Sequence, residues 1–534
     1  MTRVSREKYY VTTPIYYPNA EPHVGSAFEV VGIDVLARWK RLAGYDVFFL
    51  TGTDEHAEKV SKVAKEAGVT PEHLVEEMAG KFQQVWRVLG ISYDRFIRTE
   101  EEVHKRGVAR FWRNVRDKGD IYLGTYEGLY CMPCESYWTA TQAKAGVCPE
   151  CGRTLQTLRE PAYFFALSRY QEPLERLFRE NPDFLLPDFR RHEMEENFLR
   201  AGLEDVCISR TTIHWGIAVP DDPKHVVYVW FDALLNYLTG VGYGTDEESF
   251  GKWWPADLHV VGKDIVRFHT LLWPAMLMSA GLPLPKRVFA HGFVQVLSDD
   301  EGAEGPVKMS KSLGNIVRPG DIIDKYGVDA LRYFLMKEIT YAGDGAYSER
   351  NLAVRYNNDL ANDLGNLVLR TLSMIERYVG GRIPAGHAGA VVDWPDADKV
   401  LHAVAEEVAE TVPALMEELN FSGALEAIWS LVRAANRYVE ENRPWGLAKD
   451  PAERTRLGVV LYNLAESCRL LSIWLSPFIP STTGKIRSQL ALGEPGADFA
   501  REASWGGTKS GTMIRKGEPL FPRLDLPGCP PAGR

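Results

Sequence analysis

Three groups of residues have the types and spacing to do chemistry. Four cysteines form two pairs, Cys131-x-x-Cys134 and Cys148-x-x-Cys151, with 13 residues between the pairs. Two such turns can close tetrahedrally on one Zn²⁺, and with thiolates at all four positions no place is left for a catalytic water, so the metal would be structural. Cys207, Cys468 and Cys529 have no partner pattern and read as ordinary free thiols. Lys308-Met309-Ser310-Lys311-Ser312 lies in the Gly/Lys/Ser-rich stretch Gly302 to Gly314, which reads as an exposed loop. Two lysines three apart, with small hydroxyls, make a mobile cationic clamp suited to charge developing on phosphates. The turn Pro22-His23-Val24-Gly25-Ser26 precedes a helical pattern. A helix N-terminus favours phosphate, His23 can donate to it, and Gly25 lets it approach the backbone. The glycine spacing is not that of a dinucleotide fingerprint, and His192-Glu193 lacks the second histidine of a zinc-protease motif, since Glu196 stands there.

The elements around these residues read as α/β, then as all-helical. Tyr9 to Tyr17 reads as a strand, Ala27 to Arg41 as a helix stopped by Gly44, and Val47 to Thr51 as a second strand ending in Gly52-Thr53-Asp54. Strand, helix, strand implies a parallel sheet, whose ligands bind at the carboxyl ends of strands. From about Asp120 to Arg210 the cysteines and many aromatics mark an insertion. Val226 to Trp230, Leu258 to Val261 and Arg287 to Ala290 read as strands resuming the sheet. From about Asn351 helical periodicity dominates, as in Ala397 to Leu419, where Pro413 should kink or interrupt the helix, and Ala424 to Glu441. The last 20 or so residues should be frayed or strapped over the surface. The 534 residues suffice for about three to four domains. Hydrophobic residues at 45% and a net charge of −10 exclude a disordered chain and a generally basic nucleic-acid coat, while local basic patches remain possible. No apolar signal core or membrane-length run is present, and the clustered cysteines fit a reducing compartment, so a cytoplasmic protein is expected.

The His23 turn and the Lys308–Ser312 pentapeptide resemble the signature pair of class I aminoacyl-tRNA synthetases, the first departing only where Ser26 replaces a histidine. Val261-Gly262-Lys263-Asp264 resembles the family's ribose-binding strand end, and His291-Gly292 its adenine-side turn. Thr13-Pro14-Ile15-Tyr16-Tyr17-Pro18-Asn19, Gly52-Thr53-Asp54-Glu55-His56 and Tyr228-Val229-Trp230-Phe231-Asp232-Ala233 are similar to the methionyl branch. The resemblance runs from about Lys8 to Leu524 with the motifs in order. It implies a Rossmann-like parallel-sheet catalytic domain with a zinc-knuckle insertion, followed by an α-helical bundle. The divisions are residues 1–119 and 211–295 for the two catalytic halves, 120–210 for the insertion, 296–350 for the lysine-loop and stem-contact region, 351–520 for the anticodon-binding domain and 521–534 for a tail.

The resemblance also implies roles. His23, Lys308 and Lys311 would be catalytic, and His23, Gly25, Ser26, Gly262, Asp264, His291, Gly292, Lys308 and Lys311 would hold ATP with its Mg²⁺. Methionine is long, unbranched and polarizable, so its pocket needs aromatic walls and few donors. The implied pocket is Ile15, Tyr17, Trp230, Ala233, Leu234, Tyr237, Ile265 and His269, with Asp54 receiving the ammonium. Leu234 departs from a proline found in some relatives. Asn366 and Arg370, four apart on one helical face, and Trp445 would read the anticodon of tRNA(Met), initiator tRNA included. One structural Zn²⁺ on Cys131, Cys134, Cys148 and Cys151 matches a knuckle of the family. The insertion is too short for a hydrolytic editing domain, which argues against isoleucyl, valyl and leucyl enzymes. The chain ends soon after Phe521-Pro522-Arg523-Leu524, without the extra tRNA-binding domain that makes some relatives dimeric, so a monomer with no membrane partner is expected. A nucleotidyltransferase without tRNA and a non-catalytic zinc-stabilised RNA-binding module remain as alternatives. A tRNA-binding assay decides the first, and the retention of His23, Asp54, Asp264, Lys308 and Lys311 together argues against the second.

Overall fold

β-Branched strands alternating with amphipathic helices leave parallel pairing as the natural arrangement. The computed structural model describes residues 6–134, 136–138, 143, 146–149, 151–211, 214–297, 305–309, 315–387, 391–493 and 498–525. Six parallel strands form one sheet in the order Arg95–Arg98, Asp46–Thr53, Lys8–Thr12, Leu258–Gly262, Val288–His291, Leu185–Leu186. Strand order changes direction between Lys8–Thr12 and Leu258–Gly262, so the switch point lies there, and the carboxyl ends of these strands are the expected ligand edge. One apolar cluster spanning Tyr10 to Ala290 forms the core, with Trp112 and Trp273 fully buried.

The chain forms two compact units, Met1–Pro22 with Asp46–His291, and His23–Tyr45 with Gly292–Arg534. Within the first, a four-stranded antiparallel sheet (Ser136–Trp138, Ile121–Cys131, Gln156–Phe165, Val206–Cys207) carries the cysteine turns at one end. Several expectations are corrected here. The first strand ends at Thr12 rather than Tyr17, because Pro14 has no N–H to continue the ladder. Beyond it, pairing continues as single bonds, Thr13 N–H to Leu50 O (3.0 Å) and Tyr16 N–H to Gly52 O (3.0 Å), and an isolated bridge between Tyr16 and Thr53. Val226 to Trp230 is not a strand of the parallel sheet. Asp222–Val227 pairs antiparallel with Ala218–Val219 and Ser209–Arg210, and Val229–Ala233 is helical. A short apolar run does not distinguish these possibilities by periodicity. The edge strand Leu185–Leu186, two residues long, went unforeseen.

In the second unit, helix Val24–Leu42 is anchored at mid-length by a buried ion pair, Asp34 to Arg332 at 2.7 Å. Arg332 also donates to the carbonyls of Pro477 and Phe478, each at 2.9 Å. Gly32 leaves room for the Tyr341 ring, whose hydroxyl donates to Glu29 O at 3.0 Å. Lys40 binds Glu417 at 2.7 Å. The small sheet Val307–Lys308, Val294–Val296, Gly345–Tyr347 follows, and then the helical bundle, chiefly Asn366–Val379, Asp396–Glu417, Phe421–Asn442 and Arg454–Trp474. Pro413 does not interrupt its helix, which is continuous across it. The C-terminal segment is strapped down. Tyr356 Oη donates to Pro522 O (2.9 Å), Asn357 brackets Leu524, and the buried Glu466 accepts the N–H groups of Gly506, Gly507 and Thr508.

Candidate active site and metal centre

At the carboxyl edge of the sheet the backbone brings two loops together. Asp54 N–H donates to Tyr16 O at 2.9 Å, which places Asp54 beside the segment holding Ile15 and Tyr17. A Cβ on Gly52 would overlap the Ile97 carbonyl, so glycine is required for the neighbouring strand to approach. Tyr16 is wedged against Phe82 (centroids 5.5 Å) and Trp86 (5.4 Å). Asp54 itself is 3% exposed. A carboxylate so desolvated is suited to a cationic ligand group.

The remaining wall comes from Val229–Ala233, the turn after it and the segment following Leu258–Gly262. Trp230 stacks on Phe268 with centroids 3.9 Å apart and planes at 9°, and meets His269 edge-on at 6.2 Å. His269 is buried, and burial lowers its pKa to about 4, so its ring is neutral. Its Nδ1 lies 3.0 Å from Ile265 O and can only donate there, so Nε2 accepts the Tyr237 hydroxyl at 2.8 Å. Tyr237 is held from behind by Tyr10, whose hydroxyl donates to Tyr237 O at 2.8 Å. Ala233 is buried, and Leu234 is buried in the core cluster of this unit. These side chains give an aromatic lining with one neutral hydroxyl–imidazole pair, the candidate slot, and a buried carboxylate, Asp54, stands at the end of strand Asp46–Thr53. An aromatic lining with few donors suits an apolar side chain, and a buried carboxylate suits a cationic group.

Gly262 closes its strand opposite His291, its register partner, and Lys263 N–H donates to His291 O at 3.1 Å. Asp264 follows in an exposed turn, open to a hydroxylated ligand. In the second unit a Cβ on Gly292 would overlap the backbone of Gly343, so only glycine fits.

Also in the second unit, His23 caps its own helix. Its Nδ1 accepts from Gly25 N–H (3.0 Å) and Ser26 N–H (3.4 Å), while Ser26 Oγ accepts His23 N–H at 2.9 Å. Ser26, the residue that departs from the family pattern, thus completes a capping box. Burial lowers the pKa of His23, and the cap places the ring proton on Nε2. Val24 N–H donates to Val317 O at 2.9 Å and Ala27 N–H to His23 O at 3.0 Å. The first-turn amides are therefore bonded, to the cap or to Val317 O, and among the described residues the His23 Nε2–H is left as the turn's donor. Met309 Cε lies 3.4 Å from where a Gly25 Cβ would sit, so the His23 turn and the lysine pentapeptide adjoin. Lys308 stands opposite Gln295 in the small sheet. Ser310, Lys311 and Ser312, most of Gly302 to Gly314, and Cys529 lie outside the described residues.

The Sγ atoms of Cys131, Cys134, Cys148 and Cys151 all lie within 4.8 Å of one another, with Cys131–Cys151 at 3.5 Å and Cys134–Cys148 at 3.8 Å. Tetrahedral Zn–S bonds of about 2.3 Å space sulfurs about 3.8 Å apart, so the cluster fits zinc. Burial pushes the Cys131 thiol up to about 12 and Cys134 higher still. A divalent cation is what would hold them as thiolates. Trp138 packs in the same small core, and the Arg267 guanidinium lies over its ring at 4.4 Å and over Phe268 at 4.6 Å. The knuckle is thereby joined to the aromatic slot. Cys207 and Cys468 are buried and form no disulfide, and Cys207 Sγ accepts from the Arg210 guanidinium at 3.3 Å.

In the helical bundle, Asn366 is exposed and follows a wide-turn π-helical segment, Tyr356–Gly365, of the kind frequent at functional sites. Arg370 lies 5.9 Å from the Trp445 ring and pairs with Glu440 at 2.7 Å. Trp445 is 38% exposed, just past Arg443, whose φ of 43° turns the chain out of the preceding helix. Arg370 and Trp445 thus meet on one surface.

Sequence reasoning missed Phe268, the stacking partner of Trp230, although it adjoins His269. It also missed Arg210, 2% exposed, whose guanidinium lies over the rings of Tyr228 (4.6 Å) and Tyr130 (5.6 Å) in a cleft with His56, Glu58 and Trp215. A single arginine in an apolar run gave only a weak signal. Asp232, a charge inside Trp230-Phe231-Asp232-Ala233, was the stronger sign of a buried network.

A parallel sheet with a ligand edge at its switch point, a capping histidine turn and an adjoining lysine pentapeptide match a described class. The family model "tRNA synthetases class I (M)" matches residues 9–159 and 151–372, and "Anticodon-binding domain of tRNA ligase" matches 398–509. The chain is 49% identical over 522 residues to the methionine–tRNA ligase of Caldanaerobacter subterraneus subsp. tengcongensis, covering 98% of this chain and 80% of that one. It is 44% identical to the Bacillus subtilis enzyme of the same name, covering 97% and 78%. The Mycobacterium tuberculosis methionyl-tRNA synthetase in complex with methionyl-adenylate superposes with a TM-score of 0.90 at 43% identity, covering 97% of this chain and 100% of that one. The chain belongs to the methionyl branch of the class I tRNA synthetases.

Proposed function

We propose that this chain works as a monomeric, cytoplasmic, ATP-dependent ligase that joins methionine to tRNA(Met), initiator tRNA included. What supports the reading is the aromatic lining with its neutral Tyr237–His269 pair, together with the buried carboxylate of Asp54. In the first step the methionine carboxylate attacks the α-phosphorus of ATP, the α–β P–O bond breaks, and pyrophosphate leaves. In the second, the terminal ribose 2′-hydroxyl of tRNA attacks the acyl carbonyl and AMP leaves. No side chain need form a covalent intermediate. Catalysis is positioning plus electrostatic stabilisation. Asp54 receives the ammonium, Asp264 the ribose hydroxyls, His23 Nε2–H a phosphate oxygen, and Lys308 and Lys311 the departing phosphates. Mg²⁺ accompanies ATP and neutralises its phosphate charge.

The exposed Trp445 beside Arg370 offers a stacking platform for an unpaired base, supporting the anticodon role with Asn366. Stacking is worth about 1–3 kcal/mol per base. Trp445→Ala should therefore lower kcat/KM for tRNA charging by roughly 10- to 100-fold and leave methionyl-adenylate formation unchanged. Normal charging would contradict the assignment. No helix among the described residues is long and apolar enough to cross a membrane.

For the knuckle we expect a single zinc per chain by metal analysis. Stripping it with a chelator should change the near-ultraviolet dichroism of Trp138 and weaken methionine binding through Arg267 and Phe268, since structural zinc contributes folding energy directly. Unchanged dichroism and affinity after complete metal removal would refute this role.

A further inference from the structure

Behind the slot lies a buried charge network that the proposed chemistry does not use. His56 is 5% exposed and both its ring nitrogens face carboxylates, Nδ1 to Asp232 at 2.6 Å and Nε2 to Glu100 at 2.7 Å. A ring so placed has no acceptor role to fill, so both nitrogens donate and the imidazolium is the stable form. Burial works against the charge, but Asp232 and Glu100 outweigh it and raise His56 to about 10. Burial likewise opposes the Asp232 carboxylate, and His56 and His104 together bring it down to about 2. The other Asp232 oxygen meets His104 Nε2 at 2.7 Å, and His104 Nδ1 meets Thr239 Oγ1 at 2.8 Å. Lys105 pairs with Glu100 at the outer end.

The positions matter more than the charges alone. His56 is two residues from Asp54, Asp232 two from Trp230 and one from Ala233, and Thr239 two from Tyr237. Each end of the network is thus rooted next to a part of the slot contributed by a different segment. We infer that His56 is a positioning residue: its ring clamps the strand end bearing Asp54 to the helix bearing Trp230, and so sets the spacing between ammonium site and side-chain wall. The inference rests on the methionine reading of that slot. An apolar pair could fill the same volume, but only the ion pair fixes the register of the two segments.

The test is calorimetric titration of the full-length chain with methionine, and separately with a non-hydrolysable ATP analogue. His56→Gln should raise the methionine Kd about tenfold and leave the ATP-analogue Kd within about twofold. Asp232→Asn should act similarly, and the double variant should be no worse than the poorer single, because the two act as one unit. Glu100→Gln, at the half-exposed end, keeps the buried pair and should cost about threefold, which preserves the test if His56→Gln fails to fold. Unchanged methionine affinity, equal losses for both ligands, or multiplying effects in the double variant would overturn the inference. Failure of the unaltered chain to bind methionine would instead overturn the reading of the slot on which it rests.

Discussion

Lys311→Ala is expected to slow methionyl-adenylate formation by about 10³-fold while leaving the methionine Kd unchanged. In phosphoryl and nucleotidyl transfer there is little covalent work for a side chain, and charge stabilisation of the departing phosphates dominates. The pentapeptide that holds Lys311 starts from Lys308, in register with Gln295, and its Met309 reaches the His23 turn. On this reading a cation carried by the pentapeptide and the His23 ring donor act on the same phosphates. The methionine slot lies in the other unit, so its affinity should not register the change. Single-turnover adenylate formation with a separate methionine titration checks both halves. Equal loss in rate and in methionine affinity would contradict the assignment.

Asp54→Asn should raise the methionine Kd by roughly 100-fold, corresponding to about 3 kcal/mol, with binding of an ATP analogue unaffected. The change keeps the shape and the hydrogen-bonding backbone at Tyr16, but removes the charge. A methionine ammonium would then be desolvated against a neutral amide, which is costly in a site this closed. A rise of less than about threefold would show that the ammonium is held elsewhere.

Much of the site was legible because it is written locally. The capping turn at His23 and the two Cys-x-x-Cys turns each place their groups within a few residues, where spacing alone determines geometry. The strands Asp46–Thr53 and Leu258–Gly262 were legible from their β-branched runs, and their carboxyl ends pointed to Asp54 and Asp264. What was hidden depends on long-range pairing. Asp232 meets His56 across 176 residues and His104 across 128, and no periodicity announces such a pair. Val226 to Trp230 misled because an apolar run of that length satisfies strand and helix alike, and tertiary packing decided for a strand up to Val227 and a helix after it. At Pro413 the interruption that proline allows does not occur, since the helix Asp396–Glu417 runs on through it with Val412 buried on one side and Met416 on the other.

The central claim is that the slot selects methionine for activation by ATP. The direct measurement is amino-acid-dependent exchange of pyrophosphate into ATP, comparing methionine with leucine, isoleucine, valine and cysteine. Exchange with methionine alone is the predicted result. Exchange driven by another of these amino acids, or by none of them in folded, zinc-loaded protein, would contradict it.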